Sequence, residues 1–491
     1  MSQLAVLPLV FLLSGAVIAV LAGTLNKNAP QAVAITATAA AFISSILGLN
    51  TVTNDGPISY ELGGWPPPIG IEYVLDSLSA FMLVIVTFIG MLIAIYPARI
   101  AFDHVVRKNV PVYPLTLLLL SGLTGVMLSG DLFHLFVFLE IFAIATYGLV
   151  ALGGDRGVFA SFRYLLFGTL GSGLYLLGVG FLYFSTGTLN MADMATILPD
   201  LAGSPTILGA LGLITVGLGL KMALFPLHIW LPDAHSFSPP GVAALLAAVQ
   251  VKAGAYGLLR ILFDVYGPAY TGSAGLPVSQ LLTWFGLAGI IYGSVLATRQ
   301  ADVKRLLAYS TVAQLGYIGV GIGMGTRLAL IGAVLHVLNH ALMKSALFLV
   351  AGGIIQRTGL KEIARFAGLG KRMVPTMSGF AIAALSMVGI PPLAGFWSKF
   401  YLVWAAIDVN NWIIAIVIVS SSMLTLVYFL RMFEVIFVRE PEEPVVANAK
   451  IASPTVIGTV WALCAAIVVV GLINVLVVRN IVGPIAENLL G

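Results

Sequence analysis

Charge is what this sequence has least of. Asp, Glu, Lys and Arg make up 9% of its 491 residues, against about 25% in a typical soluble domain. That scarcity excludes a soluble globular protein of this length, and no nucleic-acid partner is expected. Cysteine is nearly absent: the single Cys464 excludes a disulfide framework and any cysteine-held cluster within the chain. The start, MSQLAVLPLVFLL, lacks the basic stretch of a cleaved signal, so it reads as a first span that is retained. The weakly alternating ~10-residue strands of a membrane barrel are missing too.

What is there is apolar. Hydrophobic residues reach 59% and mean hydropathy is +1.04. The apolar runs approach the ~20 residues that a helix needs to cross a bilayer. Lipid offers backbone groups no partner, so each run is expected to be a helix. The fold class is therefore all-α, a polytopic membrane protein with 14 transmembrane segments. Their approximate limits are 4–23, 31–50, 73–96, 112–130, 132–152, 160–187, 207–225, 240–263, 277–298, 304–324, 327–355, 375–407, 411–438 and 455–478. The twelfth is too long for one straight span of ~30 Å. Its centre, GIPPLAGF, predicts a break. The seventh ends on a similar break, FPLHIWLP.

Charge placement tests this count. Loops after odd-numbered segments carry Lys27, Arg99, Arg107, Lys108, Arg156, Arg163, Arg299, Lys304, Arg305 and most of the remaining Lys and Arg. Loops after even-numbered segments carry only Arg260 and Arg327, and Arg479 follows the last segment. The opposite loops are acidic, with Asp55, Glu61, Glu72, Asp76, Asp131, Asp193, Asp200, Asp264 and Asp408. The positive-inside rule then puts the basic loops in the cytoplasm of a cell (inner) membrane protein, with both termini outside. His104, in a basic loop, carries no functional expectation.

Four lysines remain inside spans, Lys221, Lys252, Lys344 and Lys399, with one deep acid, Glu140. Glu140 lies nine residues past Asp131, roughly 13 Å into the bilayer at 1.5 Å per residue. A charge at that depth is costly unless it is paired, hydrated or able to change protonation. A lysine can lose its proton when desolvated and regain it beside a carboxylate. The alternative is a static ion pair that holds helices together. His336, His340 and Lys344 share one helix face at i, i+4, i+8. They suit a proton relay, against packed neutral histidines as the alternative. No carboxylate or further histidine joins that face, so no metal is expected, and no cofactor.

The stretch KMALFPLHIWLPDAHSFSPPGVAALLAAVQVK, from Lys221 to Lys252, holds His228, Asp233 and His235. Both histidines can line a path or cap the helix that follows. Asp131, before His134 on the outer side, reads as a helix-end residue or part of an outward path. The connection after the seventh segment is cytoplasmic by the charge rule yet has no Lys or Arg, which makes it the candidate inner mouth. The two breaks are five segments apart, and each has a lysine beside it. That is the layout of two inverted five-helix repeats, segments 4–8 and 9–13. The chain then divides into 1–111 (segments 1–3), 112–263 (first repeat), 264–440 (second repeat) and 441–491 (last loop and segment 14).

At these residues the chain resembles a known family, the antiporter-like proton-translocating subunits shared by respiratory complex I, membrane-bound hydrogenases and Mrp-type cation/proton antiporters. The stretches that carry the resemblance are DLFHLFVFLEIFAIATYGLVAL, the Lys221–Lys252 region, DVKRLLAYSTVAQLGYIGVG, HVLNHALMKSALFLVAGGI and GIPPLAGFWSKF. FRYLLFGTLGSGLYLLGVGFLYFSTGTLNMADMA is most similar to the D-type subunit of Mrp antiporters and its hydrogenase relatives. The resemblance implies 14 core helices and a charge pair between Glu140 and Lys221. It also implies a polar axis continuing through Lys252, His336, His340 and Lys399. The function it implies is a proton-carrying subunit of a hetero-oligomeric Na⁺/H⁺ antiporter, with other membrane subunits and the bilayer as partners. Protons are the expected ion, with Na⁺ as a second candidate. The same residues would serve a proton-pumping module of an NADH:quinone oxidoreductase or hydrogenase.

Overall fold

A computed structural model describes residues 2–96, 112–267 and 277–491. Arg99, His104, Arg107 and Lys108 lie outside the described residues. Among the described residues, twelve helices are long and apolar enough to cross a membrane. They are α1 (Leu7–Leu25), α2 (Ala29–Asp55), α3 (Ser77–Ile95), α5 (Leu132–Ala151), α6 (Asp155–Thr186), α7 (Pro205–Met222), α8 (Pro240–Val265), α9 (Val278–Thr298), α10 (Val303–Met324), α11 (Arg327–Thr358), α14 (Trp412–Val438) and α15 (Pro454–Leu472). Two shorter apolar helices join them, α4 (Val112–Leu128) and α12 (Val374–Val388). Between α12 and α14 lies α13 (Ala394–Asp408). The protein is thus a polytopic, mostly helical membrane protein.

The helix starts follow local chemistry. Proline opens α7 and α8, where its missing N–H costs nothing. Asp76 caps α3 by accepting from Ser79 N at 2.9 Å, and the Ser79 hydroxyl closes a capping box. α7 stops at Met222, where Ala223 turns left-handed at φ 57°. The chain then runs irregularly to a short helix, Leu231–Phe237. The expected twelfth span divides into α12 and α13 around Gly389–Leu393, with Gly389 at φ 96°. The peptides before Pro226 and Pro392 are both cis.

α8, α10 and α11 are almost wholly enclosed by other helices, whereas α1, α2, α6, α14 and α15 leave most of their surface outward. Lys252, His336, His340 and Lys344 sit on these enclosed helices, whereas Glu140, Lys221 and Lys399 sit on α5, α7 and α13. Close crossing of α7 and α8 requires Gly254, because a Cβ there would lie 2.4 Å from Met222 N. α8 carries two π-helical stretches, Leu246–Gln250 and Arg260–Val265. The sequence pattern predicts no strands, yet Ile58–Glu61 (β1) and Glu72–Leu75 (β2) form an antiparallel pair with Ile58 opposite Leu75. The pair is too short to register in an apolar count, and it lies in the connection before α3.

Candidate functional site: a buried chain of charges

Asp131 caps α5, its Oδ1 accepting from His134 N at 2.7 Å. Burial raises its carboxyl pKa, against the backbone hydrogen bonds that lower it. Nine residues on, Glu140 Oε1 accepts from the Ser172 hydroxyl of α6 and from Lys221 Nζ, the latter at 3.4 Å. Lys221 is buried, and its ammonium also lies 5.8 Å from the Phe142 ring. It occupies the last turn of α7, where carbonyls lose their helical partners. Leu220 O there accepts from Ala223 N and from Trp230 Nε1, each at 3.1 Å.

The break beyond Lys221 positions three more residues. His228 stacks on Phe225, with ring centroids 5.3 Å apart, and meets Tyr292 of α9 edge-on at 4.8 Å. Asp233 is ion-paired with Arg163. His235 is fully buried against Phe348, and neither ring nitrogen has a hydrogen-bond partner. It lies within electrostatic range of Lys252, Lys304 and Lys344.

Lys252 is buried in α8, and its Nζ donates to Ala247 O inside the first π-helical stretch. In α11 the His336 and His340 rings stack nearly parallel, with centroids 6.0 Å apart and planes 4° apart. His336 Nδ1 is 2.9 Å from Ser398 Oγ of α13. Lys344 points to α10, where Nζ donates to Leu307 O at 2.8 Å and Ser310 Oγ at 2.5 Å. Lys399 closes the series. Its Nζ donates to Met387 O (2.8 Å), Val388 O (3.1 Å) and Ser422 Oγ (3.2 Å). Two of these acceptors belong to the C-terminal turn of α12, where the helix dipole favours a cation.

Glu140 and Lys221 are thus brought together, and so are His336 and His340. Asp233 is instead engaged by Arg163. Two cations read as loop residues are buried. Lys304 is 5% exposed because it enters α10 one residue past its start, and its Nζ donates to Ser238 O at 2.5 Å. Arg260 is 8% exposed because α8 runs on to Val265. Its guanidinium bridges Asp76 at 2.5 Å and Asp264 at 2.6 Å. Sequence reasoning also missed Ser172, Ser310 and the Gln250 Nε2–Tyr164 Oη bond of 2.6 Å. Neutral hydroxyls and amides within apolar runs carry no charge signal.

A cavity of about 690 Å³ opens beside Lys304, lined by Arg156, Ser236, Phe237, Ser238, Asp302 and Lys361 among others. It adjoins the turn that carries His235. Among the described residues no group of three or more His, Cys, Asp or Glu could hold a metal. Taken together, the arrangement can hold and exchange protons at buried titratable groups.

Residues 129–425 match the family described as "NADH:quinone oxidoreductase/Mrp antiporter, TM", and residues 67–98 match "NADH-Ubiquinone oxidoreductase (complex I), chain 5 N-terminus". The chain is 45% identical over 445 residues to NADH-quinone oxidoreductase subunit N of Desulforudis audaxviator, covering 88% of each. It is 35% identical over 385 residues to the D-type subunit of the Na(+)/H(+) antiporter of Alkalihalophilus pseudofirmus, covering 78% of this chain and 76% of the relative. Its fold superposes on a chain in the Mrp complex of Dietzia sp. DQ12-45-1b with a TM-score of 0.90 at 26% identity, covering 100% of this chain and 97% of that one. The chain belongs to the family formed by the D-type subunits of Mrp Na⁺/H⁺ antiporters and their homologues, the antiporter-like subunits of respiratory complex I, and is a multi-pass, proton-translocating subunit of a multisubunit membrane complex of that kind.

Proposed function

We propose that this chain is the proton-pumping, antiporter-like subunit of a redox-driven membrane complex of the NADH:quinone oxidoreductase type. The observation that carries proton movement is the Glu140–Lys221 pair, 3.4 Å apart, with Lys221 buried in the helical bundle. The choice of a redox complex is supported by the 45% identity to an NADH-quinone oxidoreductase subunit N. A Na⁺/H⁺ antiporter subunit is the second reading, favoured by the 35% identity to a D-type antiporter subunit. Lysines are poor Na⁺ ligands, so in that case the sodium path lies mainly in another subunit.

In this reading α1–α15 make 14 crossings, with α12 and α13 as one broken span and both termini outside. α4–α8 and α9–α14 form the inverted repeats, in the divisions 1–111, 112–263, 264–440 and 441–491. Protons arrive from the cytoplasmic cavity at Lys304 and His235. They distribute to Lys252 and Lys344, move along His336 and His340, and exchange at Lys399. His228 and Asp233 shape the inner mouth, and Asp131 the outer end of α5. Lys221 attracts Glu140 only while protonated, an interaction of about 5 kcal/mol at an effective dielectric of ~20. Loading or unloading Lys221 therefore shifts the pair and its neighbours. The Glu140 side chain is 27% exposed on the flank of the chain, where a neighbouring subunit covers it in the complex.

Copurification of the intact complex with mass-spectrometric identification of its partners tests the membership. Iron–sulfur or flavin subunits support the redox complex, and further antiporter subunits overturn it in favour of the second reading. Proton movement is tested separately, by assaying Glu140→Ala complex in vesicles, where full translocation would remove the central claim.

A further inference from the structure

α10 and α11 pack against each other in opposite directions, and three contacts fix their register. A Cβ added at Gly321 of α10 would lie 2.7 Å from Ala333 Cβ of α11. The next contact along is between the Tyr317 and His336 rings, whose centroids are 5.3 Å apart. Beyond it, Ser310 Oγ accepts from Lys344 Nζ at 2.5 Å. Moving back along α10 thus matches moving forward along α11. Gln314 lies between Tyr317 and Ser310 on the same face of α10, and His340 lies between His336 and Lys344 on the same face of α11. The register places Gln314 and His340 opposite each other.

Both side chains are wholly buried. Among the described residues, Gln314 Oε1 and Nε2 and His340 Nδ1 and Nε2 have no hydrogen-bond partner. Their neighbours along the interface are engaged. Tyr317 Oη donates to Ser421 Oγ at 2.9 Å, and Ser310 Oγ donates to Leu307 O at 2.9 Å. His336 Nδ1 is 2.9 Å from Ser398 Oγ, and Lys344 is held by Leu307 O and Ser310. A buried amide or imidazole without a partner is costly, and nearly all buried polar groups bond to protein or to ordered water. Two such groups opposed across one helix interface are each other's natural partner. A bridging water needs two to four polar neighbours, and this pair carries four unengaged polar atoms.

We infer that Gln314 is a positioning residue for His340, its amide joined to the imidazole through a buried water and holding the ring in one tautomer at a time. This rests on the proton-translocating reading above, in which His340 passes protons. A neutral imidazole carries a proton on one nitrogen and a lone pair on the other. In one passage the bare nitrogen takes up a proton, the ring becomes a cation, and the other nitrogen releases its own proton. The ring is left in the opposite tautomer and must be reset before the next passage. Gln314 offers both an acceptor and a donor, so half a turn of its amide matches either tautomer. The amide itself neither gains nor loses a proton.

The intact complex in proteoliposomes tests this, reading proton translocation per assembled complex beside the yield of complex. Gln314→Leu keeps the bulk and removes the amide, and translocation is expected to fall about tenfold at unchanged yield. Gln314→Asn keeps the amide on a shorter stem, with room for a second water, and should stay within about threefold of wild type. A merely structural amide would not separate these two variants in rate. His340→Gln alone is expected to slow translocation about tenfold. Gln314 acts through His340, so adding Gln314→Leu to it should slow translocation no further. A Gln314→Leu complex that pumps at full rate, a Gln314→Asn complex as slow as Gln314→Leu, or two substitutions whose effects multiply would overturn the inference. Where Gln314→Leu lowers the yield, Gln314→Met carries the same comparison. Glu140→Gln run in parallel separates the two failures. If it slows translocation while Gln314→Leu does not, the role of Gln314 alone falls. If it has no effect, the proton-translocating reading falls with it.

Discussion

Glu140 and Lys221 lie 81 residues apart in the chain, and their charged atoms are 3.4 Å apart in the fold. The carboxylate is held a second time by the Ser172 hydroxyl. α5, α6 and α7 thus meet at one oxygen. Glu140→Gln keeps an acceptor for Ser172 but removes the charge opposite Lys221. A buried ion left without its partner costs about 3–5 kcal/mol, which drives Lys221 toward its neutral form. Translocation by the complex in vesicles is expected to fall at least about tenfold. The Glu140→Gln/Lys221→Met double variant should lose less stability than the sum of the two singles, by about 1–3 kcal/mol. Strict additivity in thermal unfolding of the complex would show that the two charges are not coupled.

Lys399 offers a way to separate charge from proton exchange. Its ammonium holds two carbonyls at the end of α12 and the Ser422 hydroxyl. Lys399→Arg keeps a cation and donors for those acceptors, but arginine does not release its proton in proteins. Assembly is expected to survive while translocation drops at least about tenfold. Lys399→Met leaves the acceptors unpaired and should lower stability by about 1–3 kcal/mol. A Lys399→Arg complex that pumps normally would show that Lys399 is a fixed cation.

Much of the fold was legible because the signals were strong. The spans follow from apolar runs, and the two breaks from Pro226 and the Pro391–Pro392 pair. The four lysines and Glu140 stood out because charge is rare in this chain. Lys304 and Arg260 were misread because they sit within a turn or two of a helix end. There a count of apolar residues cannot tell a solvated charge from one folded inward. Ser421, Thr425 and Tyr428 were invisible for another reason. Hydroxyl residues inside helices usually satisfy themselves on a carbonyl one turn back, as Thr425 does on Ser421 O. Only the packing of α14 against α9 and α10 reveals that Ser421 faces inward, onto Ser294 and Tyr317.

The Asp76–Arg260 pair supplies a pH-dependent prediction. Burial pushes the Asp76 carboxyl up, but the Arg260 guanidinium and the Ser79 hydrogen bonds outweigh it and hold the group below its ordinary value of 3.8. A carboxyl depressed in the folded state contributes stability that is fully present above its unfolded value. That stability is lost as pH falls through the folded value. Asp76→Asn should therefore destabilise the protein at pH 7. The expected cost is about 2 kcal/mol, less than for a fully buried pair, because the Asp76 side chain is 27% exposed. The gap between wild type and variant should narrow as pH drops below about 4. Unfolding midpoints in detergent across that range check it, and a gap independent of pH would exclude the ionised Asp76 as its source.

Lys304 decides whether the cavity beside it is a proton mouth or only a surface cleft. Its Nζ reaches Ser238 O at the turn that also carries His235, and the cavity wall includes both Lys304 and Ser238. Lys304→Met keeps the length of the side chain and removes the ammonium. The Ser238 carbonyl borders the cavity, so water can replace the lost donor and the structural cost should stay near about 1 kcal/mol. If protons load here, the defect appears as slow uptake from the cavity side. Inside-out vesicles should then show translocation reduced about five- to tenfold, and raising the proton concentration on the cavity side should restore most of it. A Glu140→Gln complex should not respond to the same change, because its defect lies beyond the point of loading. A Lys304→Met complex with normal uptake would leave the cavity without a role in loading, and His235 would have to receive protons from another face.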